Sequence, residues 1–292
     1  MTTWKHLLVK TICFSCFEKN DSKYTIVGIP LDQTYTYRSG SKYAPDYIRR
    51  ISCELEFYSY LSSVSLEYLG YKDYGNILIS PGDLGKSFEN IKRVVRGIVE
   101  ETSSDRKFFI IGGEHLITYP VFKVLGNEVD QLIVFDAHLD MRDSYMESEY
   151  NHSTVLRRIF EEYSIPVIYI GARSFSSEEI DFADRNRDLV KICTPMDIEK
   201  DNCSIDRLGN IYISIDMDVL DPVYAPGVSN PEPMGLTLLQ FLKYIYRVVS
   251  SSSKVIAIDL VEVNPLFDSS EITGVNAAKI LFELTGLFEK TK

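Results

Sequence analysis

Three short runs in this 292-residue chain carry side chains suited to hard cations. The first is Asp136-Ala137-His138-Leu139-Asp140, directly after the apolar run 132–135. Alternate side chains of an extended chain point the same way, so this spacing puts Asp136, His138 and Asp140 on one face. The second is Asp216-Met217-Asp218, after the apolar run 211–215, and the same alternation aligns its two carboxylates. Asp221-Pro222 then ends the extended segment. The third is Gly112-Gly113-Glu114-His115, where two glycines permit a sharp turn that delivers His115. One Asp-x-Asp is commonly a loop or cap, and one histidine after a strand is commonly a core or surface group. Three such runs, each behind an apolar strand, gather four aspartates and two histidines, a set that points to metal. Six ligands with bridging carboxylates suit two ions about 3.5–4 Å apart that activate a shared water or hydroxide. The oxygen-rich set favours Mn²⁺, with Zn²⁺, Co²⁺ or Fe²⁺ also admissible.

The elements that must position these residues alternate in type. Apolar, β-rich runs predict strands over 24–29, 76–80, 107–111, 131–136, 166–170, 189–192, 210–215 and 255–260. Between them, helical patterns cover 45–58, 87–101, 119–125, 153–162, 177–186, 237–250 and 275–288. Ser87 reads as a helix N-cap ahead of a stripe at Asn90, Ile91, Val94, Val95 and Ile98. The serine run 250–253 reads as a loop. Such alternation predicts one α/β domain over 1–292, with a mostly parallel sheet covered by helices on both faces. Ligands of such sheets bind beyond the carboxyl ends of the strands, where all three runs fall.

Composition narrows the function classes. Lys and Arg total 31 against 42 Asp and Glu, a net charge of −11, and 45% of residues are hydrophobic. This excludes a disordered chain and argues against nucleic acid or an anionic membrane as partner. No apolar run approaches the roughly 18 residues of a membrane span. Lys10 splits the apolar N-terminal stretch, and no small-residue cleavage site follows it. Five cysteines at irregular spacing predict no disulfide framework and a reducing cytoplasm, with Cys13 and Cys16 as incidental thiols.

Taken together, the three runs resemble the signatures of the ureohydrolase (arginase/agmatinase) family. The second continues as Val219-Leu220-Asp221-Pro222 to Ala225-Pro226-Gly227. Likeness extends from Gly28-Ile29-Pro30, through Gly40-Ser41-Lys42-Tyr43-Ala44-Pro45, to Glu262-Val263-Asn264-Pro265. The resemblance implies a three-layer α/β/α sandwich around a parallel sheet of about eight strands. It also implies two manganese ions. One would be held by His115, Asp136, Asp140 and Asp216, the other by His138, Asp136, Asp216 and Asp218. A hydroxide bridging them would attack a guanidine carbon, with Asp140 accepting its hydrogen bond. Glu262 matches the carboxylate that clamps a planar guanidinium. His152, in Asn151-His152-Ser153-Thr154, matches the active-site histidine and, near its ordinary pKa of about 6.5, would carry a proton to the leaving amine. Glu114 and Asp259 are candidates for orienting the ligands. Trimers or hexamers are the family's habit, so a homo-oligomer is expected.

The substrate is narrowed by departures from arginases. Arg142 stands at an asparagine position and Ser176 at an aspartate position of the arginine-holding loops. Lys42, Ala44 and Met234 also depart from the common pattern, at loop positions away from the ligands. The loop after Asp140 is acidic, and its Asp143 and Glu147 would attract a terminal ammonium. His138-Leu139-Asp140-Met141-Arg142-Asp143 resembles the archaeal agmatinase branch. The expected reaction is therefore hydrolysis of a small cationic guanidino compound, agmatine, to putrescine and urea. The alternatives are guanidinobutyrate, formiminoglutamate or arginine, or a metal-binding scaffold without catalysis. Arg142 or Arg173 facing the cavity would favour a carboxylate tail.

Overall fold

Continuous runs of β-branched and aromatic side chains become strands that are buried on both faces. The computed structural model describes residues 4–290, so the ends of the 1–292 span lie outside the described residues. The chain runs β1 (Leu8–Val9), β2 (Tyr24–Ile29), α1 (Ala44–Ser52), β3 (Tyr58–Ser59), β4 (Val64–Ser65), β5 (Lys72–Ile77) and α2 (Leu84–Glu101). Next come β6 (Lys107–Gly112), α3 (Thr118–Leu125), β7 (Gln131–Phe135), α4 (Val155–Tyr163), β8 (Val167–Ile170), α5 (Ser177–Arg185) and β9 (Val190–Cys193). The last are α6 (Pro195–Glu199), β10 (Leu208–Asp216), α7 (Leu238–Ser251), β11 (Ser252–Val261) and α8 (Ile272–Lys290).

Among the described residues, nine strands form one sheet in the order β1-β5-β2-β6-β11-β10-β7-β8-β9. All pairs are parallel except β1 with β5. The short β3–β4 pair stands apart from it. Alternation along each strand feeds two cores. Ile211, Ile213 and Ile215 of β10 pack with Ile48 of α1, Phe241 of α7 and Phe282 of α8. Tyr212, one position out of phase, packs with Val94 of α2, Phe122 of α3 and Ile159 of α4. The result is the expected α/β/α sandwich. Among the described residues, no helix is long and apolar enough to cross a membrane.

Several local expectations are corrected. The strand expected at 76–80 begins at Lys72. Its first half is hidden in the sequence because Asp73 and Gly75 look like loop residues. Arg49, fully buried on α1, explains Asp73: Nε and Nη2 donate to its two carboxylate oxygens at 2.8 and 2.9 Å. Nη1 donates to Asn76 Oδ1 at 2.6 Å. Gly75 sits at φ +81°, and a Cβ there would lie 2.3 Å from the Val9 carbonyl oxygen. The helix expected over 45–58 stops at Ser52. Helix α2 is capped by Asp83, whose side chain accepts from Lys86 N at 2.9 Å. Ser87 is instead buried inside it, donating to the Asp83 carbonyl at 2.9 Å. The 250–253 run is not a loop, because α7 passes directly into β11 at Ser252.

The cysteine expectation is overturned. Cys16 is bonded to Cys53 and Cys193 to Cys203. Irregular spacing could not reveal these pairs, because folding creates the proximity: the N-terminal segment packs on α1, and the stretch after α6 returns to the end of β9. Cys13 keeps its thiol, which burial pushes up to about 12. The argument for a reducing compartment loses its basis in cysteine usage.

Because buried Arg49 neutralises buried Asp73, Arg49→Met is expected to cost about 3–5 kcal/mol by stranding a buried charge. Urea denaturation followed by circular dichroism reads this directly. Arg49→Met/Asp73→Leu should recover much of the loss.

Candidate metal centre

Adjacent central strands β6, β11, β10 and β7 end side by side, and each presents a polar residue at its carboxyl end. Register aligns Ile215 of β10 with Phe135 of β7 and Asp216 with Val261 of β11. Asp136 and Asp216 therefore emerge at one level, with Glu262 one residue beyond it. His115 arrives from β6 through Gly113, whose amide donates to the Ile29 carbonyl and whose carbonyl accepts from Glu262 N. A Cβ on Gly113 would lie 2.0 Å from the Leu31 carbonyl oxygen, so only glycine passes here.

Convergence of the aspartates does not use the extended alternation expected from sequence. Strand β7 stops at Phe135, and residues 136–140 turn, with Asp140 at φ +49°. Asp136 Oδ1 accepts from His138 N at 2.6 Å within that turn. Asp216-Met217-Asp218 likewise enters a short 3₁₀ turn, Met217–Val219, where Asp216 Oδ1 accepts from Asp218 N at 2.9 Å. Small polar side chains that bond their own backbone stabilise such turns.

Two potential ligand groups result, His115 with Asp136 and Asp140, and Asp136 with His138 and Asp218. His115 Nδ1 lies 3.1 Å from Asp136 Oδ2, 2.9 Å from Asp140 Oδ2 and 3.5 Å from Asp216 Oδ2. His138 Nδ1 lies 2.9 Å from Asp218 Oδ2 and 3.6 Å from Asp136 Oδ1. Asp136 thus offers one oxygen to each group. His115 Nδ1 and Asp136 Oδ2 are buried without a hydrogen-bond partner. Buried polar atoms left unpaired are costly, and here a cation would satisfy them.

Electrostatics agree. Burial and the Asp136 charge push Asp140 up to about 7. Burial, Asp218 and Asp136 raise Asp216 well above the usual carboxylate range. Burial alone would lower His115, yet Asp136 and Asp140 hold it well above its ordinary value. So much crowded negative charge calls for positive charge among these six side chains, and the donor set fits a hard divalent cation.

His115 is oriented from behind. Its Nε2 lies 2.9 Å from Ser214 Oγ, which donates to Asp259 Oδ1 at 2.6 Å. Asp259 Oδ2 also accepts from Tyr212 OH at 2.6 Å and Thr118 Oγ1 at 2.8 Å. Since the one Ser214 proton goes to Asp259, Ser214 accepts from His115 Nε2–H, which leaves Nδ1 facing the cluster, where its lone pair would serve a cation. Asp259 therefore acts one hydroxyl away. Ser214 was missed, although a serine within an apolar strand was its signal. Glu114 does not touch the ligands: its Oε2 accepts from Thr34 N and Oγ1, each at 2.8 Å. Burial pushes Glu114 up to about 7.

A cavity of about 380 Å³ opens over Asp140, Asp216 and Asp218. Glu262 and His152 line it, as do Tyr37, Tyr145, Phe175 and Glu232, which the sequence did not single out. Glu262 accepts from His115 N at 2.8 Å, and burial pushes its carboxyl up to about 8. His152 departs from its expected ordinary titration, because burial lowers it to about 4. Asp143 and Glu147 are not among the lining residues. Asp143 is exposed and pairs with Arg158 at 3.3 Å and Arg157 at 3.7 Å. Glu147 is carried away from the cavity by a turn with positive φ at Met146 and Glu147. Arg173 does not face the cavity, since its guanidinium donates to the carbonyls of Gly171, Asp218, Glu232 and Pro233. Arg142 does line it, stacked 5.2 Å from the Tyr145 ring and 3.9 Å from Glu179 Oε2.

Comparison with known proteins gives a consistent picture. Residues 22–286 match the family model described as the Arginase family. An agmatinase of Bacillus cereus is 34% identical over 270 residues, covering 90% of this chain and 91% of that one. An agmatinase of Pyrococcus horikoshii is 35% identical over 276 residues, covering 91% and 92%. The crystal structure of agmatine ureohydrolase of Thermoplasma volcanium superposes with a TM-score of 0.80 at 34% identity, covering 97% of this chain and 95% of that one.

Because Asp259 aligns Ser214 and through it His115, Asp259→Asn is expected to weaken Mn²⁺ binding about 10–100-fold. Calorimetric titration of the metal-free protein checks this.

Proposed function

The chain belongs to the arginase family, and on that premise we propose that it hydrolyses agmatine to putrescine and urea with two manganese ions. As a member it is a hydrolase of C–N bonds in guanidino compounds. We assign one ion to His115, Asp136, Asp140 and Asp216, and the other to His138, Asp136, Asp216 and Asp218. When bound, such a pair supplies Lewis-acid charge and water activated for attack at neutral pH.

The remaining roles fall to side chains. Glu262 accepts the planar guanidinium edge, and its burial at the end of β11 makes that charge-assisted contact strong. Cations held in the adjacent cluster would favour its ionised form. Asp140 accepts the hydrogen bond of the attacking water and turns it toward the guanidine carbon. As the carbon–nitrogen bond to the tail breaks, the departing amine needs a proton. His152 lines the cavity and is neutral at pH 7, so it can take that proton from the attacking water and pass it on.

One observation carries the choice of a cationic tail. Beyond the proposed ligands, the cavity wall holds Glu179, Glu232 and Glu262 against Arg142, the one lysine or arginine on that wall among the described residues. The aromatic faces of Tyr37, Tyr145 and Phe175 suit the polymethylene stretch between guanidinium and ammonium. Arg142 supports a second reading, a guanidino or formimino acid, but Glu179 and Tyr145 already engage its charge.

Urea release with Mn²⁺ should be seen with agmatine and be far slower with arginine and guanidinobutyrate. Formiminoglutamate should release little formamide. Preferred turnover of a carboxylate-tailed compound would contradict the assignment. Separately, His152→Ala should keep two bound ions per chain while kcat falls about 10²–10⁴-fold. Loss of metal from that variant would show that His152 has a different role.

A further inference from the structure

His152 is useful as a proton carrier only if the correct ring nitrogen is free, and the residues behind it decide which nitrogen that is. Its backbone N–H donates to Thr34 Oγ1 at 3.2 Å, and its Nδ1 lies 3.5 Å from the same oxygen. Nε2 lies 3.4 Å from Thr36 Oγ1, a residue of the cavity wall. Thr34 in turn is held by Glu114, whose Oε2 accepts both the amide and the hydroxyl proton of Thr34, each at 2.8 Å. Glu114 is itself buried, and its amide donates to the Leu31 carbonyl at 2.8 Å, which fixes the carboxyl against the 31–34 segment.

A hydroxyl has one proton and two lone pairs. The Thr34 proton is committed to Glu114, so toward His152 this oxygen can only accept. It accepts from the backbone N–H with one lone pair and from the ring with the other. A lone pair on Nδ1 would face an oxygen with no proton to give, losing the hydrogen bond and placing two lone pairs together. We propose that Thr34, locked by Glu114, holds neutral His152 as the Nδ1–H tautomer and leaves the Nε2 lone pair turned to the cavity. Thr36 Oγ1 is compatible, because its hydroxyl can donate to that lone pair until a reacting group displaces it.

The consequence is directional. His152 gains a proton only at Nε2 and returns it from the same nitrogen to the amine that leaves the guanidine carbon. Thr34 and Glu114 touch neither substrate nor the proposed metal ligands through their side chains, so they are positioning residues. This inference rests on the reading of His152 as proton carrier in agmatine hydrolysis, but the tautomer can be measured without any substrate.

The test is long-range ¹H–¹⁵N correlation on histidine-labelled protein loaded with diamagnetic Zn²⁺, with His152 identified by its loss in His152→Gln. Wild type is expected to show a protonated Nδ1 and an unprotonated Nε2 at pH 7. Thr34→Val should lose that preference, and Thr34→Ser should restore it. With Mn²⁺ and agmatine, Thr34→Val should lower kcat about tenfold or more with little change in KM and with metal content kept. An Nε2–H tautomer in wild type overturns the proposal, even if no variant folds. So does an unchanged tautomer in Thr34→Val, whatever its rate. Absence of agmatine turnover by wild type would instead count against the proposed reaction and leave the tautomer result standing.

Discussion

Crowded negative charge beyond the carboxyl ends of four central strands is the constraint around which this molecule is built. Asp136, Asp140, Asp216 and Asp218 are all buried within reach of His115 or His138. Without cations, such a group resists ionisation, as the raised Asp140 and Asp216 carboxyls express. With two divalent ions bound, as proposed, the same charges would become ligands. The fold supplies rigidity to hold them together: β6, β11, β10 and β7 are interior strands, packed on both faces, and each fixes where its terminal residue emerges.

Support around the cluster follows a single rule of proton counting. Ser214 spends its proton on Asp259 and so accepts from His115. Thr34 spends its proton on Glu114 and so accepts from His152. In both pairs a buried carboxyl fixes a hydroxyl, and the hydroxyl fixes an imidazole. One arrangement points a lone pair at a cation site, the other at the cavity. Arg173 plays a related part for the backbone, tying the carbonyls of Asp218 and Glu232 into one corner of the wall.

Much of this was legible in the sequence because it depends on local pattern. Apolar runs followed by Asp, His or Glu located the strand ends, and the positions of Asp136, His138, Asp216 and Glu262 followed. What was not legible depends on distant partners. The start of β5 is hidden because Asp73 depends on Arg49, 24 residues away. Cys16 and Cys53 pair across 37 residues, and Thr34 meets His152 across 118. Asp143 looked suited to a substrate ammonium by sequence distance alone, but α4 offers it Arg157 and Arg158 first. The alternation argument brought Asp136, Asp140, Asp216 and Asp218 together by the wrong geometry, since turns rather than extended chain do so.

The proposed arrangement has six side chains holding two ions close enough to share Asp136. Electron paramagnetic resonance of the metal-free protein titrated with Mn²⁺ tests it most directly. Two equivalents per chain should give the multiline spectrum of a spin-coupled pair, as expected for ions about 3.5–4 Å apart. Saturation at one equivalent, or a six-line signal of isolated Mn²⁺ at two, would rule out a pair of ions sharing Asp136.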